Sequence, residues 1–282
     1  MSHRPPAPLR VLVYVFVAAA TLATLYPVAL VVKKSVSRGQ SLDVGVSPIP
    51  TSFSGEHFAN LFKGNSRAAP SVLHQLANSL IVSIGTAIVG LLFSMAAAFA
   101  LSRLRFPGQR AGLWLLLVTQ IFPSTLFIIP LYAILDSVGL LDNALGLILV
   151  YSTTSIPFSV WTLKGYFDTI PREIDEAARL DGASAVTLFW RIILPISRPA
   201  LAVVGLFSFM TAWNEFILAA TFLSRESAYT MPVVLAQFSD PRASAWGSFA
   251  AGSVIVSLPV VILFFLLQRH LVHGLAAGST KG

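Results

Sequence analysis

The chain has 282 residues, 55% of them hydrophobic and only 11% charged, with a formal net charge of +7 and a mean hydropathy of +0.77. An ordinary soluble domain carries about 25% charged residues, so this composition argues against a water-facing surface and implies lipid as the solvent. The basic residues sit in short clusters between apolar runs rather than in a nucleic-acid-binding stripe, and the absence of cysteine excludes disulfides, thiolate metal sites and a cysteine nucleophile.

A membrane-crossing helix needs about 20 mostly apolar residues. In chain order the sequence predicts six, over 9–32, 74–101, 111–135, 144–166, 199–223 and 246–268. The first outlasts the roughly 7–15 apolar residues of a signal peptide, and no small-residue cleavage site follows Tyr26-Pro27, so it reads as a retained helix. Residues 33–73, rich in Gly, Pro and Ser, predict a small external structure. The organisation expected is a first helix with its external loop (1–71), a helical core (72–270) and a tail (271–282). No internal repeat of useful length is evident.

Orientation follows from basic residues in the loops. With both termini inside, the inner side holds twelve Lys and Arg and the outer side seven. Lys33 and Lys34 after the first helix vote the other way. The cluster Arg103, Arg105 and Arg110 votes more strongly, because the short loop 136–143 carries only Asp136 and Asp142. Both termini are therefore expected in the cytoplasm.

Between the fourth and fifth spans lies an insert, 167–198, too long for a simple turn. Pro171 suits a first helical turn, Gly182 a left-handed helix stop, and Glu173, Asp175 and Glu176 the positive end of a helix dipole. A short helix over about 171–181 is predicted, then a second one capped by Ser184 and running to about 193, before Leu194-Pro195 turns the chain into the fifth span. Ile174, Ala177, Ala178 and Asp181 make a narrow, small-sided face that suits a groove on a partner, with Glu176 and Arg179 at its rim for charge-assisted contacts. The alternative is a helix lying in the lipid interface, which would present larger apolar residues.

Glu176-Ala177-Ala178, three residues, Gly182, nine residues, then Ile192-Ile193-Leu194-Pro195 resembles the EAA motif of binding-protein-dependent ABC importer permeases, with Asp181-Gly182-Ala183 inside it. The likeness runs from about residue 72 to the end. Leu101-Ser102-Arg103-Leu104-Arg105-Phe106-Pro107-Gly108, Trp161-Thr162-Leu163-Lys164-Gly165-Tyr166-Phe167 and Trp213-Asn214-Glu215-Phe216 look like the maltose-type sugar permeases, as do Trp246-Gly247-Ser248-Phe249 and the tail from Gln268. The resemblance implies an all-α polytopic fold of six transmembrane helices with a cytoplasmic coupling helix. It implies that Glu176, Ala177, Ala178, Asp181, Gly182, Leu194 and Pro195 serve contact with an ATPase, Glu176 meeting a basic group there. It also implies a second permease, two ATPase subunits, an external sugar-binding protein and a prokaryotic inner-membrane location. ATP and Mg would be held by the ATPase, with no cofactor in this chain. In that group such a tail reaches into the ATPase dimer interface.

Polar groups inside spans are costly and tend to face cavities or partner helices. Glu215 is the one acid placed within a predicted span; Asn214, Gln120, Ser152, Thr153, Thr154 and Ser155 add amide and hydroxyl groups, and Trp161 and Trp213 add aromatic faces. Gln120, Ser152, Thr153, Trp213, Asn214 and Glu215 are candidate linings of a sugar pathway, against the competing role of helix–helix hydrogen bonding. Pro123, Pro130 and Pro157 are expected to break or kink their helices.

The function expected is import of maltose, maltodextrin, trehalose or a similar oligosaccharide, powered by a separate ATPase. The chain accordingly has no G-x-x-x-x-G-K-[ST] run of its own. An ion-coupled transporter using Glu215 as proton carrier is the alternative, and it leaves the 167–198 insert without a purpose. A membrane enzyme is disfavoured: His3, His57, His74, His270 and His273 form no H-E-x-x-H spacing, and there is no G-x-S-x-G.

Overall fold

The computed structural model describes residues 7–41, 45–63, 71–239 and 245–279, with side chains through Gln268. Every regular element among them is helical. In chain order these are α1 (Ala7–Val36), α2 (Glu56–Lys63), α3 (Val72–Arg103), α4 (Gln109–Ile121), α5 (Ile128–Ser137), α6 (Ala144–Thr169) and α7 (Arg172–Leu180). Then come α8 (Ala185–Thr187), α9 (Leu194–Ile196), α10 (Arg198–Trp213), α11 (Ile217–Phe222), α12 (Met231–Phe238) and α13 (Trp246–Ser279). Contacts group the chain into two units, residues 1–72 with 234–258, and residues 73–233 with 259–282.

In the first unit α1 is a 30-residue apolar helix, all but its last turns exposed, as a lipid-facing helix requires. Its C-terminal end is organised by a polar knot. His57, 1% exposed, has Nε2 at 2.8 Å from the Ser37 carbonyl and Nδ1 at 3.2 Å from Gln40 Nε2. Gln40 also donates to Ser248 Oγ and accepts from the Ser248 N–H. The knot works because Gly247 has no side chain: a Cβ there would stand 2.3 Å from the His57 ring. Burying these groups is tolerable because each finds a partner.

The second unit has two apolar cores. One gathers Val82, Leu147, Tyr151, Leu218, Ala219 and Phe222 from α3, α6 and α11. The other gathers Ala98, Phe99, Leu163, Phe167, Ala178, Leu188, Ile193, Leu194 and Val204, where the ends of α3 and α6 meet α7 and the start of α10. Between them the helices approach through small residues. A Cβ on Gly90 would stand 3.1 Å from both Ser155 Oγ and Ser208 Oγ, and Ser159 Oγ lies 3.4 Å from Ser208 Oγ. Close packing of small and hydroxyl residues is how helices associate where lipid offers no hydrophobic drive.

Four helices are long and apolar enough to cross a membrane, near the predicted first, second, fourth and sixth spans, and up to six if each bent pair counts as one. The other two predicted spans need correction, because neither is one straight helix. The third, 111–135, bends by 94° between Ile121 and Ser124. Pro123 there takes an extended conformation (ψ 132°) before a 3-10 turn, since it has no N–H to continue α4. Pro130 instead sits in the first turn of α5, and Pro157 lies inside an unbroken α6. The fifth, 199–223, is α10, a three-residue break, and α11. The second insert helix also outlasts its prediction. Ser184 caps it as expected, accepting from the Thr187 N–H, but the run continues through a π-helical stretch, Leu188–Ile193, to Ile196 and bends by 82° into α10. The wider π register just before Pro195 makes room for a ring that a tight α turn would meet.

Candidate functional site

The 171–196 insert is built from local chemistry. Pro171 is the N-cap of α7 rather than its first helical residue, with φ −54° and ψ 137°. At the other end Gly182 has φ +81°, the Ala183 N–H bonds the Ala178 carbonyl at 2.9 Å and the Gly182 N–H bonds the Arg179 carbonyl at 3.0 Å. These are the paired bonds of a Schellman stop, which satisfies orphan carbonyls at the helix end.

The small-sided face expected to dock is divided by the structure. Ala178 and Leu194 are buried in the chain's own core and Ile174 is half-buried, whereas Glu176, Ala177, Asp181, Gly182 and Pro195 are exposed. What the insert offers outward is more apolar than expected. Leu180 is 89% exposed, Val186 67% and Trp190 55%, and Glu176 and Arg191 are exposed as well. Sequence reasoning missed these three. The available signal was Val186 and Trp190 at i and i+4, a spacing that puts them on one face, with Leu188 and Ile193 buried on the other.

The helix is tied down on its inner side. Asp175 Oδ2 lies 2.9 Å from Arg103 Nε at the end of α3, the two side chains 8% and 1% exposed. Arg103 Nη2 donates to the Ile170 carbonyl at 3.0 Å, and Arg172 Nη2 returns a bond to the Ser102 carbonyl at 3.1 Å. Ser102 Oγ donates to Asp168 Oδ1 at 2.6 Å, and Lys164 bridges Asp168 Oδ2 at 2.5 Å.

Of the predicted pathway residues, the structure brings together only two. Asn214 and Glu215 line an open cavity of ≈ 620 Å³ at the α10–α11 break, with Phe207, Met210, Thr211, Phe216 and Ile217. Trp213 is 2% exposed and stacked on Phe209 with ring centroids 5.2 Å apart, so it packs rather than lines. Gln120 Nε2 donates to the Thr154 carbonyl at 3.3 Å, tying α4 to α6. Ser152 is buried and bonds the Ile148 carbonyl, and Thr153, though exposed, bonds the Val150 carbonyl.

Glu215 itself builds the break. Its Oε1 accepts from the Leu218 N–H at 2.9 Å, and its Oε2 accepts from the Ala219 N–H at 3.0 Å and from the buried Tyr151 hydroxyl at 2.8 Å. The carboxylate therefore starts α11 and fastens it to α6, and nothing in this arrangement supports a proton carrier. A second clasp lies at the α5–α6 turn. Asp142, with φ 54°, accepts at Oδ1 from the Ser224 and Arg225 N–H groups at 2.6 and 2.9 Å. Burial pushes its carboxyl up, but those two N–H groups and the Arg225 guanidinium outweigh it and hold the pKa below the ordinary value.

Residues 90–276, well over half the chain and including both the insert and the α10–α11 break, match the model of the binding-protein-dependent transport system inner membrane component. The chain belongs to that family. This permease is 35% identical over 270 residues to the galactooligosaccharides transport system permease of Bacillus subtilis, covering 95% of this chain and 94% of the relative. It is 38% identical to the maltose/maltodextrin transport system permease of Escherichia coli K12 over 274 residues, 92% of each chain. Its fold matches a bacterial ABC transporter structure, described as involved in import of the acidic polysaccharide alginate. That match has a TM-score of 0.79 and 22% identity, over 96% of this permease and all of that chain. The permease is thus a multi-pass component of an ABC importer, a transport rather than a catalytic subunit.

Proposed function

We propose that this permease forms, with a second permease, the pathway of an ATP-driven sugar importer fed by an external binding protein. Two ATPase chains would hold ATP and Mg, one of them docking on the 171–196 insert. Support for the substrate class comes from the curated relatives, which are named for galactooligosaccharides and for maltose and maltodextrin. The mixed wall at the α10–α11 break suits the same class, with Phe207 and Phe216 for stacking and Asn214 and Thr211 for hydroxyl recognition.

The observation that carries the reading is an insert that leaves Leu180, Val186, Trp190 and Glu176 all exposed, in a chain of the binding-protein-dependent transport family. Large apolar side chains interleaved with charge suit a protein partner; a helix lying in the lipid interface is the alternative, and co-purification separates the two. Docking there would put the insert on the cytoplasmic side, and both termini with it where the third and fifth runs each cross once. ATP binding would draw the ATPase pair together and bias the bundle towards one of two openings, by differential affinity for the two states.

The test is co-purification of the tagged chain in mild detergent from its native membrane, with mass spectrometry of what accompanies it. An ATPase subunit and a second permease are expected. The Leu180→Asp, Trp190→Glu variant should keep the permease partner and lose the ATPase. A lone chain that moves sugar into proteoliposomes without ATP would overturn the proposal.

A further inference from the structure

The most heavily buried ion pair among the described residues is not where stability alone would put one. Arg103 ends α3, and Asp175 lies in α7, which follows α6 in the chain. Their side chains are 1% and 8% exposed at 2.9 Å, yet Arg103 Nε makes a charge contact rather than an aligned hydrogen bond, and Asp175 Oδ1 has no hydrogen-bond partner. Removing two charges from water costs several kcal/mol per ion, and well-packed apolar residues commonly serve stability as well or better. An under-satisfied buried pair of this kind is better suited to fixing position. Its surroundings fix position too. Arg103 reaches the carbonyl of Ile170 just before α7, Arg172 reaches back to the carbonyl of Ser102, and Ser102 holds Asp168 at the end of α6. The short helix is therefore joined covalently to α6 and α8 but fastened by charge to α3.

We propose that the buried Arg103–Asp175 pair is the joint through which α7 moves the cytoplasmic end of α3, so that displacement imposed on the insert reaches a span remote in sequence. This rests on the reading of the insert as the element on which the ATPase docks. Arg103 and Asp175 are positioning residues: neither faces the ATPase surface nor lines the α10–α11 cavity. Without the joint, α7 still docks, but its motion reaches α3 only through the Arg172–Ser102 bond and apolar packing, and ATP hydrolysis runs with less transport.

The experiment uses the complex purified from native membranes and reconstituted, with uptake of radiolabelled maltose, trehalose and a galactooligosaccharide measured alongside ATP hydrolysis. Asp175→Asn removes the charge and keeps the shape. It should lower uptake per ATP hydrolysed by about tenfold, within the usual range of a coupling free energy, while the ATPase subunit co-purifies to within about twofold of wild type. Asp175→Glu, which restores the charge, should recover uptake per ATP to within about threefold. Wild-type coupling in Asp175→Asn overturns the proposal. So does a parallel loss of uptake and of bound ATPase, or of the folded chain, because that is a merely structural role. Asp175→Glu as defective as Asp175→Asn overturns it as well, since charge is the claim. A wild-type chain that brings down no ATPase is a different failure, seen before any substitution, and removes the importer reading itself.

Discussion

At Gly182 the backbone has φ +81° with nothing within 4 Å of where a Cβ would stand. The constraint is conformational, not steric contact with neighbours, and the left-handed region costs an L-residue about 1–2 kcal/mol. Gly182→Ala should therefore be tolerated at that cost, whereas Gly182→Val, with a branched Cβ, should dislodge the Ala183–Ala178 and Gly182–Arg179 bonds that end α7. The expected outcome is a chain that inserts normally but retains less ATPase on purification, the alanine variant lying between. Equal retention in all three would sink the assigned turn. This stop was legible because helix-ending chemistry is local: a glycine after an acidic, alanine-rich stretch reads the same in any context. The neighbouring alanines were not. Ala177 is exposed and Ala178 is 7% exposed in the core, and only the position of α3, α6 and α10 around α7 decides which points inward.

Between α10 and α11 the same limit appears at the scale of an element. An apolar run over 199–223 predicts that the chain stays in the membrane, but hydropathy is silent on whether the helix is continuous. In this chain the break is made by one carboxylate, which takes the Leu218 and Ala219 N–H groups and the Tyr151 hydroxyl. Glu215 was legible as unusual, and its job was not, because the sequence cannot show that Tyr151, 64 positions away, reaches it. A carboxylate that holds a helix start has a measurable consequence. Glu215→Ala leaves two N–H groups and a buried phenol without acceptors, at about 1–3 kcal/mol for each buried group stranded. Glu215→Gln keeps one acceptor oxygen and should lose less. Thermal unfolding of the detergent-solubilised permease should fall in the order wild type, Gln, Ala, with Tyr151→Phe milder than Ala. A proton carrier would give a different pattern: unchanged unfolding temperatures and an abolished pH dependence of uptake. Pro123 belongs to the same lesson, since its break was anticipated but the two other prolines named with it leave their helices intact.

For the whole molecule the open quantity is which way the chain threads the membrane, because loop charge alone divides twelve to seven and Lys33 and Lys34 dissent. The coupling surface settles on one answer if the ATPase meets Leu180, Val186 and Trp190, since ATP is a cytoplasmic reagent. The insert, and the Arg103, Arg105 and Arg110 cluster, then face inward, and the Asp142–Arg225 clasp faces outward. The chain has no cysteine, so single cysteines can report this without a background to remove. Arg191→Cys samples an exposed position beside the apolar patch, and Arg225→Cys a side chain 68% exposed at the opposite clasp. Neither is buried, so substitution leaves the cores untouched. In right-side-out membranes a membrane-impermeant maleimide should label Arg225→Cys at once and Arg191→Cys only after permeabilisation. In inverted vesicles the order should exchange. The reverse pattern would place the insert outside, where no ATPase can reach it, and would leave Leu180 and Trp190 needing an external partner instead. Labelling of both from one side would mean that the chain crosses an even number of times between them, which the broken α10–α11 run, if it turned back instead of crossing, could produce. The two sites thus test the orientation and the fifth crossing together, and the three outcomes are distinct.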